Sequence, residues 1–218
     1  MLSGSAPDFT TPNEAYWAFS AEWVRRSIAT DQTDFGTSMT LNSVYSSSDD
    51  VNSLGQRAYV HSPTEPAYLM EEPYDEEGPD GNSVNLNATQ PVRRFQWWGW
   101  LSSIGGYISG NGYVWPFRAP AWRNHLDTQC TRDMARLNVF MGSIAWYNLV
   151  PSGLAGMRTL ITAGGSSLSS SAYVAAAATP NGTLLVAYIP PSHTGSVALS
   201  ERRSTNSSRF YRVVSKPD

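Results

Sequence analysis

The segment Ala67 to Met70 is a short apolar run closed by two adjacent carboxylates, Glu71 and Glu72, and a proline. An uninterrupted apolar run of this length suits a strand covered on both faces, as strands in parallel sheets are. Parallel strands constrain the rest of the chain, because each needs a crossover, usually a helix, to bring the chain back to the same end of the sheet. Such crossovers are present. The spacing predicts helices from about Pro91 to Ser103 and from about Thr131 to Trp146, the second with Met134, Leu137, Met141 and Ile144 on one face. A short helix is predicted around Leu54 to Tyr59. Further strands are predicted at Phe35 to Tyr45, where Met39 and Leu41 alternate with Thr40 and Asn42, and at Tyr107 to Ser109. Near the start, Thr11-Pro12-Asn13-Glu14 reads as a capping box opening a helix that carries Tyr16, Trp17, Trp23, Val24 and Ile28. Strand and helix in alternation define a parallel α/β fold.

Past Pro151 the texture changes. Thr159 to Ala163, Tyr173 to Ala178, Thr183 to Tyr188 and Ser196 to Leu199 are short strand candidates separated by Gly, Ser and Pro-Asn-Gly turns, which suits an antiparallel β module. The expected division is residues 1–152 as an α/β unit and 153–218 as a short β unit.

Composition removes several function classes. A net charge of -3 supplies no basic surface for nucleic acid. Cys130 is the single cysteine, so neither an intrachain disulfide nor a cysteine metal site can form. His61, His125 and His193 fall in separate segments without ligand-like spacing, and no metal or other cofactor is expected. No apolar run is long enough to cross a bilayer, so no membrane partner is expected. Met1 to Ser5 lacks the basic and apolar regions of a signal peptide, so the chain is expected either to be cytoplasmic or to have its natural N-terminus upstream.

Five of the eight tryptophans lie between Val92 and Trp122, just after the paired carboxylates. Carboxylates at a strand end beside tryptophan-bearing loops suit sugar cleavage: the acids handle protons and the anomeric carbon, and flat rings stack on the apolar faces of a sugar.

The run Pro66-Ala67-Tyr68-Leu69-Met70-Glu71-Glu72-Pro73-Tyr74-Asp75 resembles the apiosidase-like glycoside hydrolases (family 140, overlapping the domain of unknown function 4038). Glu71, Tyr74 and Asp75 fit that family's strand-terminal Glu, followed by Tyr and an acidic residue. The similarity continues at Arg93-Arg94, Trp97-Trp98, Gly105-Gly106-Tyr107, Gly110-Asn111, Trp115, Trp122 and Trp146 to Pro151. Tyr173 to Pro190 resembles the family's C-terminal β domain, which is described as collagen-binding. The resemblance implies the last strands and helices of a (β/α)8 TIM-type barrel, followed by a short antiparallel β module. It also implies an extracellular or periplasmic full-length protein that acts on a polysaccharide or glycan. Phe35–Tyr45, Pro66–Glu71 and Tyr107–Ser109 would be barrel strands six, seven and eight. Three or four strands leave open edges, so the chain alone is expected to be inactive.

Under that resemblance Glu71 is the nucleophile of a retaining glycosidase and Glu72 the second choice, since alternation sends only one of them into the barrel mouth. Asn42, Tyr45, Tyr74, Arg94, Asn111, Trp115 and Trp122 are the expected sugar-binding residues. Each has a plainer reading. Arg93 and Arg94 suit a solvated helix terminus equally well, and Asn42 suits a turn. Trp98 and Trp100 have the spacing of core residues. Asp75-Glu76-Glu77 most often makes an exposed acidic run, although Asp75 can orient a hydroxyl. The partner acid is expected upstream of Met1, with Asp8 a weaker candidate. The competing functions are a non-catalytic carbohydrate- or matrix-binding protein and a gene fragment without activity.

Overall fold

The computed structural model describes residues 26–28, 40–46, 50–77, 90–117, 121–200 and 209–212, apart from some side chains, among them that of Glu72. The helix expected after Thr11 and the candidate Asp8 lie outside these residues, except that Arg26–Ile28 is a strand, β1, and not the end of a helix. Pairing explains the difference. Ile28 faces Val44 in an antiparallel ladder with β2, Asn42–Ser46, and such tertiary pairing overrides helical spacing read locally.

The first sheet has the order β1-β2-β3-β4, with β3 at Ala67–Asp75 and β4 at Tyr107–Asn111. β2, β3 and β4 are mutually parallel. Each is followed by a helix: α1, Val51–Tyr59; α2, Gln90–Leu101; and α3, Gln129–Gly142. The chain is therefore a mixed α/β fold built on a parallel sheet.

The second helix explains most of the tryptophans. Val92, Phe95, Gln96, Trp97, Trp98, Gly99 and Leu101 are all buried, so α2 is covered on nearly every side and has apolar residues nearly all round. One side meets β3, where a Cβ on Gly99 would lie 2.5 Å from Leu69 Cδ1 and 3.0 Å from its Cγ. Another meets the second sheet, where Trp97 stacks on Tyr188 at 5.4 Å and 2°. Trp98 lies against Phe95 and donates its indole N–H to the Tyr173 carbonyl at 3.1 Å. A Gly99→Ala substitution weighs two effects. Helix propensity favours alanine by about 0.8–1 kcal/mol, whereas overpacking costs about 1–3 kcal/mol. Leu69 is itself buried and hemmed in, so we expect a net loss of stability, measurable by urea denaturation.

α2 stops earlier than its glycines suggest. Ser103 takes the left-handed conformation (φ 59°), and Ile104 N–H donates to Gly99 O while Ser103 N–H donates to Trp100 O, a Schellman closure with serine in the usual glycine place. Gly105 serves packing instead, because a Cβ there would come within 2.6 Å of the Trp146 ring.

The second sheet has the order β10-β8-β7-β5, formed by Val150–Pro151 (β5), Ala175–Ala178 (β7), Leu184–Tyr188 (β8) and Arg209–Arg212 (β10). Its β5–β7 and β7–β8 pairs are antiparallel as expected, but β10 runs parallel to β8. Ile161–Ala163 (β6) and Ala198–Leu199 (β9) make a separate antiparallel pair. One core runs from Val44 and Leu69 through α2 to Ala177, Val186 and Tyr188, without a break at residue 152.

Candidate active site

Parallel pairing between β3 and β4 is regular through Leu69↔Tyr107, Met70↔Ile108 and Glu71↔Ser109, and then slips before Asp75↔Asn111. The slip begins at Glu71, whose backbone is left-handed at φ 68°, a costly conformation for a non-glycine residue and one found preferentially at functional positions. Leu69 packs towards α2, and strict alternation would turn Glu71 the same way; the left-handed residue breaks that period of two. The Tyr74 hydroxyl donates to Glu71 Oε1, and the Tyr74 ring meets Trp115 edge-on at 6.3 Å and 84°. Gly110 makes this arrangement possible: a Cβ there would come within 2.5 Å of the Tyr74 ring. Trp115 is 60% exposed.

The next three acids are not the exposed run that sequence suggests. Asp75 is 2% exposed and Glu76 7%, and Glu77 Oε2 accepts the Tyr74 backbone N–H at 3.3 Å. Asp75 Oδ2 accepts from Thr128 Oγ1 at 2.6 Å and from Asn111 Nδ2 at 3.5 Å. Thr128 is also the N-cap of α3 and receives the Thr131 N–H. Burial is the main force pushing the Asp75 carboxyl above the ordinary range; the Glu76 charge adds to it, and the Thr128 and Asn111 donors oppose it. The folded state therefore keeps this proton to higher pH than the unfolded chain does, and stability falls as pH rises from the unfolded value through the raised one. Asp75→Asn should thus raise the melting temperature at pH 7. The gain should shrink towards pH ~4, near the unfolded pKa. Thermal unfolding at the two pH values checks both statements.

The other expected sugar-binding residues are scattered. Asn42 is buried at the start of β2, opposite Ala67, four residues or about 13 Å below Glu71 along the strand direction. It sits at the wrong end of the sheet, because β2 begins at a residue expected to lie near its end. Tyr45 is buried beside β1, opposite Ser27. The Arg94 guanidinium lies over the Trp98 ring at 5.0 Å and the Phe95 ring at 5.6 Å, on the α2 side that meets Tyr173. Arg93 pairs with Asp133 on α3. Both ends of the Asn111 amide are engaged: Oδ1 accepts the Tyr113 and Val114 N–H groups at 2.8 and 2.9 Å, and Nδ2 donates to Glu76 at 3.0 Å. Trp122, in the 3-10 turn Ala121–His125, meets Phe117 edge-on at 5.4 Å, with Arg123 4.4 Å above its ring. The structure thus joins Glu71, Tyr74 and Trp115, brings Asn111 close by as a structural tie, and sends Trp122 to Phe117.

Glu76 and His125 are the residues that sequence reading missed. The His125 Nδ1 lies 2.8 Å from Glu76 Oε2, and its ring stacks on Tyr113 at 4.0 Å and 18°. Forty-nine residues separate the pair, and no local pattern announces it. Among the described residues no three His, Cys, Asp or Glu side chains are grouped to hold a metal ion. A cavity of about 320 Å³ opens between α2 and α3 beside Gly105, Gly106 and Tyr107, at the start of β4 and away from its Glu71 end.

A carboxylate at the C-terminal part of a parallel strand, beside a tyrosine hydroxyl and an exposed tryptophan, has the residue types that sugar cleavage uses. Residues 26–148, more than half of the chain, match the model of the family described as "Apiosidase-like, catalytic domain", and the chain belongs to that family. Among solved structures it is similar to a glycoside hydrolase family 5 protein from Bacteroides vulgatus ATCC 8482, with a TM-score of 0.55 and 14% identity. That likeness concerns the fold, and it covers 71% of this chain and 39% of the other. The chain thus spans well under half the length of that relative. No curated protein matches the sequence.

Proposed function

We propose that the chain carries the nucleophile side of a retaining glycoside hydrolase acting on a glycan. In this reading residues 1–152 form the last strands and helices of a (β/α)8 barrel, and residues 153–218 form a β unit that backs them. The observation that carries it is the Glu71 carboxylate, held by the Tyr74 hydroxyl at the left-handed break of β3, with exposed Trp115 set against Tyr74.

In the proposed chemistry Glu71 attacks the anomeric carbon and forms a glycosyl ester, while a second carboxyl protonates the leaving oxygen. That second group then takes a proton from water, and the water opens the ester with net retention. The two carboxyls must sit only about 5 Å apart. Asp75 and Glu76 are already committed to Thr128, Asn111 and His125, so we assign the acid/base to a residue outside the described ones. Tyr74 keeps the nucleophile in one rotamer. Trp115 offers an apolar face on which a pyranose or furanose ring can stack. The full-length protein would work outside the cytoplasm, where such glycans lie.

The open Trp115 and Phe117 rings also suit a carbohydrate-binding protein without turnover. Release of reducing sugar from a panel of glycans by the full-length protein, with NMR assignment of the first-formed anomer, separates the readings. Turnover with retention supports the proposal. Binding without turnover supports the alternative, and inversion excludes Glu71 as a nucleophile.

A further inference from the structure

We propose that Glu76 is a clamp that holds the aromatic loop following β4 in its ligand-ready position, with His125 and Asn111 as its two grips. The site-bearing stretch between β4 and α3 carries Trp115, Phe117 and Trp122. Both ends of it are tied to one carboxylate. At its start, Asn111 Nδ2 donates to Glu76 Oε2 at 3.0 Å, and the opposite end of the same amide caps the turn that launches Trp115. At its end, His125 Nδ1 meets the same oxygen at 2.8 Å. The His125 ring lies flat on Tyr113, so the two ends of the stretch also touch each other.

The local cost of the arrangement argues that it has a purpose. Glu76 adopts a left-handed backbone at φ 56° and places its carboxylate about nine-tenths out of solvent. A buried acid is tolerated only when its lone pairs are satisfied, and here the satisfying donors come from the two ends of one loop. Glu76 directly follows Asp75, which is tied to the N-cap of α3, so the clamp stands on the rigid end of β3. Trp115 is thereby kept against Tyr74, and Tyr74 against Glu71. These are positioning residues; none is asked to touch a reacting atom.

The inference deepens the glycosidase reading but is tested independently of it by limited trypsin digestion of the chain, following cleavage after the exposed Arg123. His125→Phe keeps a ring to stack on Tyr113 and removes the donor, so it spares the fold better than His125→Ala. Cleavage after Arg123 should quicken about tenfold, the effect of losing roughly 1.4 kcal/mol of local closure, while cleavage after Arg158 in the second half stays unchanged. His125→Asn returns an N–H donor near the Nδ1 position and should restore the rate to within about twofold of wild type. The Trp115 indole N–H resonance should move in the Phe variant and return in the Asn variant. An unchanged rate and resonance in His125→Phe, or equal acceleration at Arg158, would overturn the clamp. In the full-length protein the Phe variant should raise KM and leave kcat within about threefold. A collapse of kcat alone would also overturn the positioning role. A wild type without turnover defeats only the glycosidase reading, and the digestion then still decides the clamp.

Discussion

Glu71→Gln in the full-length protein should lower kcat by on the order of 10³-fold or more, with little change in glycan affinity. The amide has the shape of the carboxylate and can still receive the Tyr74 hydroxyl that now donates to Glu71 Oε1, so the local packing survives. What disappears is the negative oxygen that forms the ester. Because the Trp115 ring packs on Tyr74, which the variant leaves in place, sugar stacking should persist, and binding measured by calorimetry should stay within a few-fold. Parallel assays of Glu72→Gln decide between the adjacent acids. Loss of turnover only in that variant would move the nucleophile to Glu72, and full activity in both would dismiss a nucleophile in this strand.

The second large effect concerns stability. Trp98 is fully buried on α2, between Phe95 on its own helix and the Tyr173 carbonyl that receives its N–H. Truncating such a residue to alanine costs about 3–5 kcal/mol, and the stranded carbonyl adds to this. Against a total of about 5–15 kcal/mol for a typical domain, Trp98→Ala should leave the chain marginal or unfolded at 37 °C. Since α2 lies between the two sheets and shares one core with both, their signals should vanish in a single urea transition. A loss below about 1 kcal/mol, or survival of either sheet alone, would contradict this account of the core.

The sequence was legible where periodicity and burial coincide. The apolar run before Glu71 is a parallel strand, though not covered on both faces as expected, since only Leu69 of it is buried; the tryptophan-rich segment is a helix, its indoles largely given to packing. Failures fall where partners distant in sequence decide. Residues 26–28 are drawn into a ladder with β2. Asn42 opens its strand, so its burial at the far end follows from where pairing with β3 starts. Arg94 lies over rings of its own helix, on the side where the Trp98 indole meets the Tyr173 carbonyl. Asp75 and Glu76 look like solvated acids in isolation, yet Thr128 and His125 arrive from some fifty residues downstream to satisfy them. The break of alternation at Glu71 was equally hidden, because left-handed backbone at a glutamate has no compositional signature.

The most direct test of the central claim is to trap the glycosyl ester. The full-length enzyme is exposed to a 2-deoxy-2-fluoro glycoside that slows breakdown of the intermediate, and its peptides are then mapped by mass spectrometry. The account predicts one added sugar, on the peptide containing Glu71, and none on the Glu71→Gln variant. A sugar carried by any other carboxylate, or turnover of the probe with inversion and no adduct, would contradict it.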